Sequence, residues 1–212
     1  QKHIYRNSKI KNCIPAVEFI TKSNIWALRM GAIVENPIIS KNPKIIDYAT
    51  NHRSDFGDIF LIKHCKFFLS STYPGIAAAA SMLGTPIVSP NIIPIGVIPL
   101  NKKDLFIPMK YKDTKTNNII SYKEVIRIGG DRWSDTQNYI DNGIELIENT
   151  PEEILEVTKE MNERLNGTWI SNPIDEELQQ MYRNLFVKGN HIYNFTPRIG
   201  ADFLRKNQNL LN

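Results

Sequence analysis

The chain has 212 residues, of which 42% are hydrophobic and 23% charged, so neither a disordered nor a collagen-like protein is indicated. A chain of this length buries roughly 70% of its unfolded surface without staples, and two cysteines, Cys13 and Cys65, exclude a disulfide framework and point to a reducing compartment. Charge is uneven: residues 1–110 hold fourteen Lys and Arg against six Asp and Glu, and residues 111–212 hold twelve against sixteen.

A surplus of positive charge in the first half raises the local concentration of anions. Its lysines are scattered, with Lys102-Lys103 the one basic doublet before the tail, so a small phosphorylated ligand fits better than nucleic acid. The apolar run 92–100 is broken by Pro94 and Pro99 and falls well short of the ~20 residues of a spanning helix. No signal segment opens the chain. It begins with Gln1 rather than Met, and we read it as a piece of a longer protein, soluble and cytoplasmic or peripheral at the inner membrane.

In chain order, residues 15–23 predict a helix, with Pro15 in its first turn and Val17, Phe19 and Ile20 on one face. Residues 25–28 predict a short buried strand running into Arg29-Met30-Gly31, and a brief helical piece is expected around 45–49. Ser54 is the expected N-cap of a helix through about residue 65, with Asp55 and Asp58 in its first turn, where the dipole favours carboxylates. Cys65 is expected to be a small core residue. A strand at 66–69 then meets the polar turn Ser70-Ser71-Thr72-Tyr73. Pro74 opens a helix that Gly84 ends, and 85–88 is the next strand.

Strand–helix alternation with short turns is the pattern of a doubly wound α/β parallel sheet. Beyond it the pattern loosens. Residues 101–118 are expected to be a loop, 122–128 a short helix, 129–139 an irregular, mobile insertion and 144–147 an edge strand. Thr150-Pro151-Glu152-Glu153 is a capping-box helix start, predicting a helix to about 165. A further helix at about 175–186 and a last short one formed by the tail, 197–211, complete a single α/β domain with its core at about 12–165.

The segment 66–91 carries the most chemistry. Ligands of open α/β sheets bind at the carboxyl ends of the strands. There Ser70, Ser71 and Thr72 supply hydroxyl donors, Gly75 allows close backbone approach, and a helix N-terminus suits phosphate. The alternative is a capped helix whose hydroxyls serve only the backbone. Arg29 beside Gly31 follows a strand and has the fork geometry for phosphate oxygens, or is a surface arginine at a strand end. Arg53 precedes Ser54 and points the same way with less support. Asp47 is a candidate ribose or acid/base group, and Asn91, after the next strand, a candidate nucleoside or sugar contact. There is no Walker loop, no G-x-G-x-x-G, no G-x-S-x-G and no Asp-x-Asp, and the four histidines show no ligand spacing, so no metal is expected.

The stretch CKFFLSSTYPGIAAAASMLGTPIV resembles the donor-binding segment of glycosyltransferases with two Rossmann domains, the GT-B architecture. Further pieces resemble bacterial glycosyltransferases encoded among surface-polysaccharide genes: Tyr5-Arg6-Asn7 with Ile14-Pro15-Ala16, Arg29-Met30-Gly31, Ile46-Asp47-Tyr48-Ala49, Arg53-Ser54-Asp55-Phe56, the 149–153 helix start and Arg198-Ile199-Gly200. The resemblance implies a nucleotide-sugar donor, with Ser70, Ser71, Thr72 and Gly75 at its diphosphate and Arg29 beside it. It also implies a glycan or lipid-linked acceptor and metal-independent stabilisation of the leaving group, with no cofactor. Two features depart from the family. The helix after the Ser turn offers Ile76 and alanines where many members hold the ribose with Glu. The chain is also about half the length of a two-domain enzyme, which predicts a carboxy-terminal half that needs an amino-terminal domain or a partner chain.

Overall fold

The computed structural model describes residues 3–70 and 75–212. After two 3-10 turns, Ile4–Arg6 and Ile10–Cys13, helix α1 (Ile14–Lys22) carries Pro15 in its first turn and buries Ala16 and Ile20. Strands β1 (Ala27–Leu28) and β2 (Ile45–Ile46) pair in parallel as a two-stranded sheet, and α2 (Tyr48–Asn51) follows directly. The helical piece expected around 45–49 therefore begins three residues late. Ile45 and Ile46 are β-branched and pair with Ala27 and Leu28 instead.

Helix α3 (Asp55–His64) is capped by the Ser54 hydroxyl, which accepts the Gly57 N–H, and holds Asp55 and Asp58 in its first turn as expected. Cys65 proves exposed rather than part of the core; Ile62 takes the inward place, packed with Ala77, Ala80 and Ile87. Strand β3 (Phe68–Leu69), helix α4 (Gly75–Met82) and strand β4 (Ile87–Ile92) then form a parallel β-α-β unit.

Residues 101–118 contain two strands, β5 (Leu105–Pro108) and β6 (Lys110–Asp113), where a loop was expected. A short apolar run, Leu105-Phe106-Ile107, is hidden between Lys, Asn and Asp, yet its residues are fully buried because β5 is an inner parallel strand covered on both faces. Strand β7 (Ile119–Ile120) and helix α5 (Tyr122–Arg127) follow, then α6 (Thr136–Asp141), which Asp135 caps within the segment expected to be irregular. Strand β8 (Ile144–Ile147) is an edge strand as expected, in an antiparallel sheet of order β7-β6-β8.

Helix α7 (Pro151–Asn166) begins with the predicted capping box between Thr150 and Glu153 and buries Ile154, Val157, Thr158 and Met161 at helical spacing. Helix α8 (Pro173–Asn184) precedes the tail, which is not one helix: strand β9 (Arg198–Ile199) pairs with β5 before α9 (Ala201–Lys206). The tail thus completes a parallel sheet of order β3-β4-β5-β9. Helices cover both its faces. Ile107 lies with Val157 of α7 against Gly200, while its neighbour Phe106 meets Tyr182 of α8 edge-on at 6.2 Å. The protein is therefore an α/β fold built on parallel sheets, and among the described residues no helix is long and apolar enough to cross a membrane.

Candidate functional site

At the carboxyl end of β3 the backbone stays paired: Phe68 donates to the Pro86 carbonyl at 2.8 Å and Ser70 to that of Val88 at 2.9 Å. Ser70 is 1% exposed, and its hydroxyl has no hydrogen-bond partner among the described residues. Ser89, one register step beyond the Leu69–Val88 pair, carries a second buried hydroxyl without a partner among the described residues. Buried hydroxyls in folded proteins are almost always bonded, so each such group asks for an explanation. Ser71 and Thr72 lie outside the described residues. Helix α4 opens at Gly75, and a Cβ built there would meet no described residue within 4 Å. The first turn of a helix leaves N–H groups that the helix itself does not pair, and at Gly75 no described residue crowds them.

The end of β4 is built differently. Pro90 and Asn91 fall in a register irregularity between Ser89 and Ile92, which is where a proline and a left-handed residue are tolerated in an inner strand. Asn91 has φ 56° and is 2% exposed. Its N–H donates to Asn149 Oδ1 at 2.6 Å, the Asn149 N–H donates back to Asn91 Oδ1 at 2.7 Å, and Asn149 Nδ2 reaches the Pro108 carbonyl at 3.0 Å. Asn91 and Asn149 thus lock the carboxyl ends of β4 and β5 to the N-terminus of α7. Beside this lock, Lys110 Nζ lies 2.5 Å from Glu153 Oε1.

Arg29 and Asp47 are brought together, but onto each other. Arg29 Nη1 sits 3.3 Å from Asp47 Oδ2 and donates to the Asn36 carbonyl at 2.7 Å, with the two side chains 10% and 4% exposed. Burial pushes the Asp47 carboxyl up, but the Ile38 N–H, the Thr50 hydroxyl and the Arg29 guanidinium outweigh it and hold it below the ordinary aspartate range. The pair offers little net charge to a ligand. Gly31 has φ 153°, and a Cβ there would stand 2.8 Å from Val34, so its own turn requires glycine. Arg53 bridges Asp55 and Asp58, each at 3.0 Å, at the start of α3. Met30, between Arg29 and Gly31, packs in the same small core as Ile76 and Ala77, which draws that turn toward the first turn of α4.

Sequence reasoning missed Asn149 and Lys110. The 149–153 helix start is legible, but the Asn91–Asn149 contact spans 58 residues and no local pattern carries it. Lys110 fell in the expected loop. Among the described residues no group of three His, Cys, Asp or Glu could hold a metal ion. Comparison with known proteins gives no match: no family model, no curated protein and no solved structure is similar to this chain.

Proposed function

We propose that this chain is a glycosyltransferase, or the donor-binding half of one, of the Rossmann-like GT-B type that transfers sugar from a nucleotide-diphosphate sugar during bacterial surface-glycan synthesis. The observation that carries the proposal is the buried Ser70 hydroxyl, without a hydrogen-bond partner among the described residues, at the carboxyl end of a parallel strand and next to a helix that begins at Gly75, where no described residue would meet an added Cβ. A phosphate oxygen accepts from a serine hydroxyl and from first-turn N–H groups, and the helix dipole favours its charge by up to about 2 kcal/mol. In this scheme the donor diphosphate lies at Ser70, Ser71, Thr72 and Gly75. As the glycosidic bond breaks, charge grows on the leaving nucleoside diphosphate, and these fixed donors stabilise it without a metal. Arg29 contributes by orienting the 29–31 turn rather than as a free cation, since Asp47 already balances it. The acceptor, glycan or lipid-linked, and its general base belong to an amino-terminal domain or partner chain.

A second reading has one observation in its favour. Asp47, the best acid/base candidate in the sequence, is tied to Arg29 and held ionised by two further donors, which fits a nucleotide-sugar-binding subunit without catalysis better than an epimerase. Calorimetric titration with UDP, GDP, CMP, ADP and their sugar conjugates tests the shared premise. Saturable binding of one diphosphate, weakened roughly ten-fold by Ser71→Ala, is expected. Absence of binding by all of them at millimolar ligand contradicts both readings. Slow release of free sugar from the bound conjugate separates the enzyme from the subunit.

A further inference from the structure

The opposite, amino-terminal end of the parallel sheet holds a cavity of about 850 Å3. Twelve residues line it; four are cationic and none is acidic. Lys102 lies in the turn before β5, Arg183 in the last turn of α8, Lys188 just beyond that helix, and Arg198 at the start of β9. The turn carrying Lys102 is fixed by Asp104, whose carboxylate accepts the N–H groups of Asn101 at 2.9 Å and Ile87 at 3.0 Å.

The four cations are not equivalent. Arg198 forks onto Glu176 at 2.6 and 3.1 Å and is balanced there. Arg183, Lys102 and Lys188 make no ion pair with any described residue. The Nε donors of Arg183 and Arg198 are buried and have no hydrogen-bond partner among the described residues. A cation in the last turn of α8 offsets the helix dipole, which accounts for Arg183 alone and not for the convergence of Lys102 and Lys188. Aromatic surface adjoins these charges: the Arg183 guanidinium lies 5.6 Å over the Phe195 ring, and Tyr193 is 47% exposed.

Cations held in no ion pair select oxyanions, and a guanidinium fork matches phosphate in two places at once. Aromatic faces beside them select a ring. The volume falls within the roughly 300–1,000 Å3 of small-molecule clefts. We propose that this cavity binds a phosphorylated ring compound, with its phosphate on Arg183, Lys102 and Lys188 and its ring against Tyr193 and Phe195. The site lies at the end of the sheet opposite Ser70 and does not depend on the donor site proposed there.

The test is titration of the full chain with UMP, AMP, glucose 1-phosphate, inorganic phosphate, uridine and glucose at low salt. The expected result is that nucleotide or sugar phosphate binds at least several-fold more tightly than inorganic phosphate, that the neutral compounds do not bind, and that affinity falls as salt rises. Which of the two phosphates binds identifies the source of the ring. Arg183→Gln weakens binding roughly ten-fold, Arg183→Lys less, and Lys188→Gln a few-fold, with unchanged circular dichroism. Inorganic phosphate binding as tightly as the ring compounds overturns the proposal, as does binding that Arg183→Gln leaves intact. Binding lost in Ser71→Ala but kept in Arg183→Gln moves the ligand to the other end of the sheet and also overturns it.

Discussion

Replacing Asn149 by alanine is the sharpest test of how the carboxyl end of the sheet is held. The substitution removes the acceptor for the Asn91 N–H and the donor to the Pro108 carbonyl, while the backbone N–H of residue 149 still reaches Asn91 Oδ1. Asn91 and Asn149 are 2% and 1% exposed, so water has no easy way in. Each buried group left unpaired costs about 1–3 kcal/mol, giving about 2–6 kcal/mol in all. Against a typical total of about 5–15 kcal/mol that is a large fraction. A central loss of about 4 kcal/mol lowers Tm by about 8–16 °C in a chain of this size. Urea unfolding followed by far-ultraviolet circular dichroism measures it, with Thr150→Ala, a lost helix cap worth about 1 kcal/mol, as the local reference. The two asparagines are also expected to couple in a double-mutant cycle. A loss below about 0.5 kcal/mol in Asn149→Ala, with an unchanged urea slope, refutes the lock.

Asp47→Asn probes the Arg29 pair through pH. The folded Asp47 carboxyl lies below its ordinary value, so its contribution is present above about pH 4, the unfolded value, and is lost as pH falls through the folded one. The stability gap between wild type and Asp47→Asn is therefore constant from pH 7 to 5 and closes below about pH 4; a gap that widens on acidification contradicts this. Glu160, 1% exposed, accepts the Ala201 N–H at 2.7 Å and so caps α9. Glu160→Ala is expected to cost about 1–3 kcal/mol in urea unfolding, and Glu160→Gln less, because burial already disfavours the charged form. The two thiols differ in access. Burial pushes the pKa of both thiols up to about 11, with Glu148 adding to it at Cys13, but Cys13 is buried whereas Cys65 is exposed. A disulfide reagent at pH 8 should titrate Cys65 in the native protein and Cys13 only on unfolding; two fast native thiols would contradict the buried site.

What could be read from the sequence was local. Ser54, Thr150 with Glu153, and Pro15 mark helix starts through bonds that close within one turn, and all three helices begin where these residues put them. Strands were harder because their partners are distant. Leu105-Phe106-Ile107 looks like a loop among Lys and Asn until β4 and β9 flank it, and Arg198-Ile199 has no strand pattern apart from its pairing with Leu105 and Phe106. Cys65 looked like a core residue because it adjoins Phe67, but it follows the last turn of α3, and Ile62 fills the inward position.

The candidate site was legible in the same partial way. The Ser turn at a strand end gives Ser70, and the structure adds that its hydroxyl is buried and without a partner among the described residues. Arg29 and Asp47 were each picked out by residue type, but type does not tell that β1 and β2 pair and turn the two side chains onto one another. The cationic cavity draws on residues 102, 183, 188 and 198, which only the fold brings together.

Backbone amide mapping by NMR during titration with UDP, GDP, CMP and ADP locates the diphosphate on the sheet. With a donor site there, one diphosphate moves the amide signals of Ser70, Gly75 and Ile76, the strand end and the first turn of α4. Shifts confined to the surroundings of Arg183 and Lys188, or no shifts with any of the four at millimolar ligand, would contradict a donor site at the carboxyl end of the sheet.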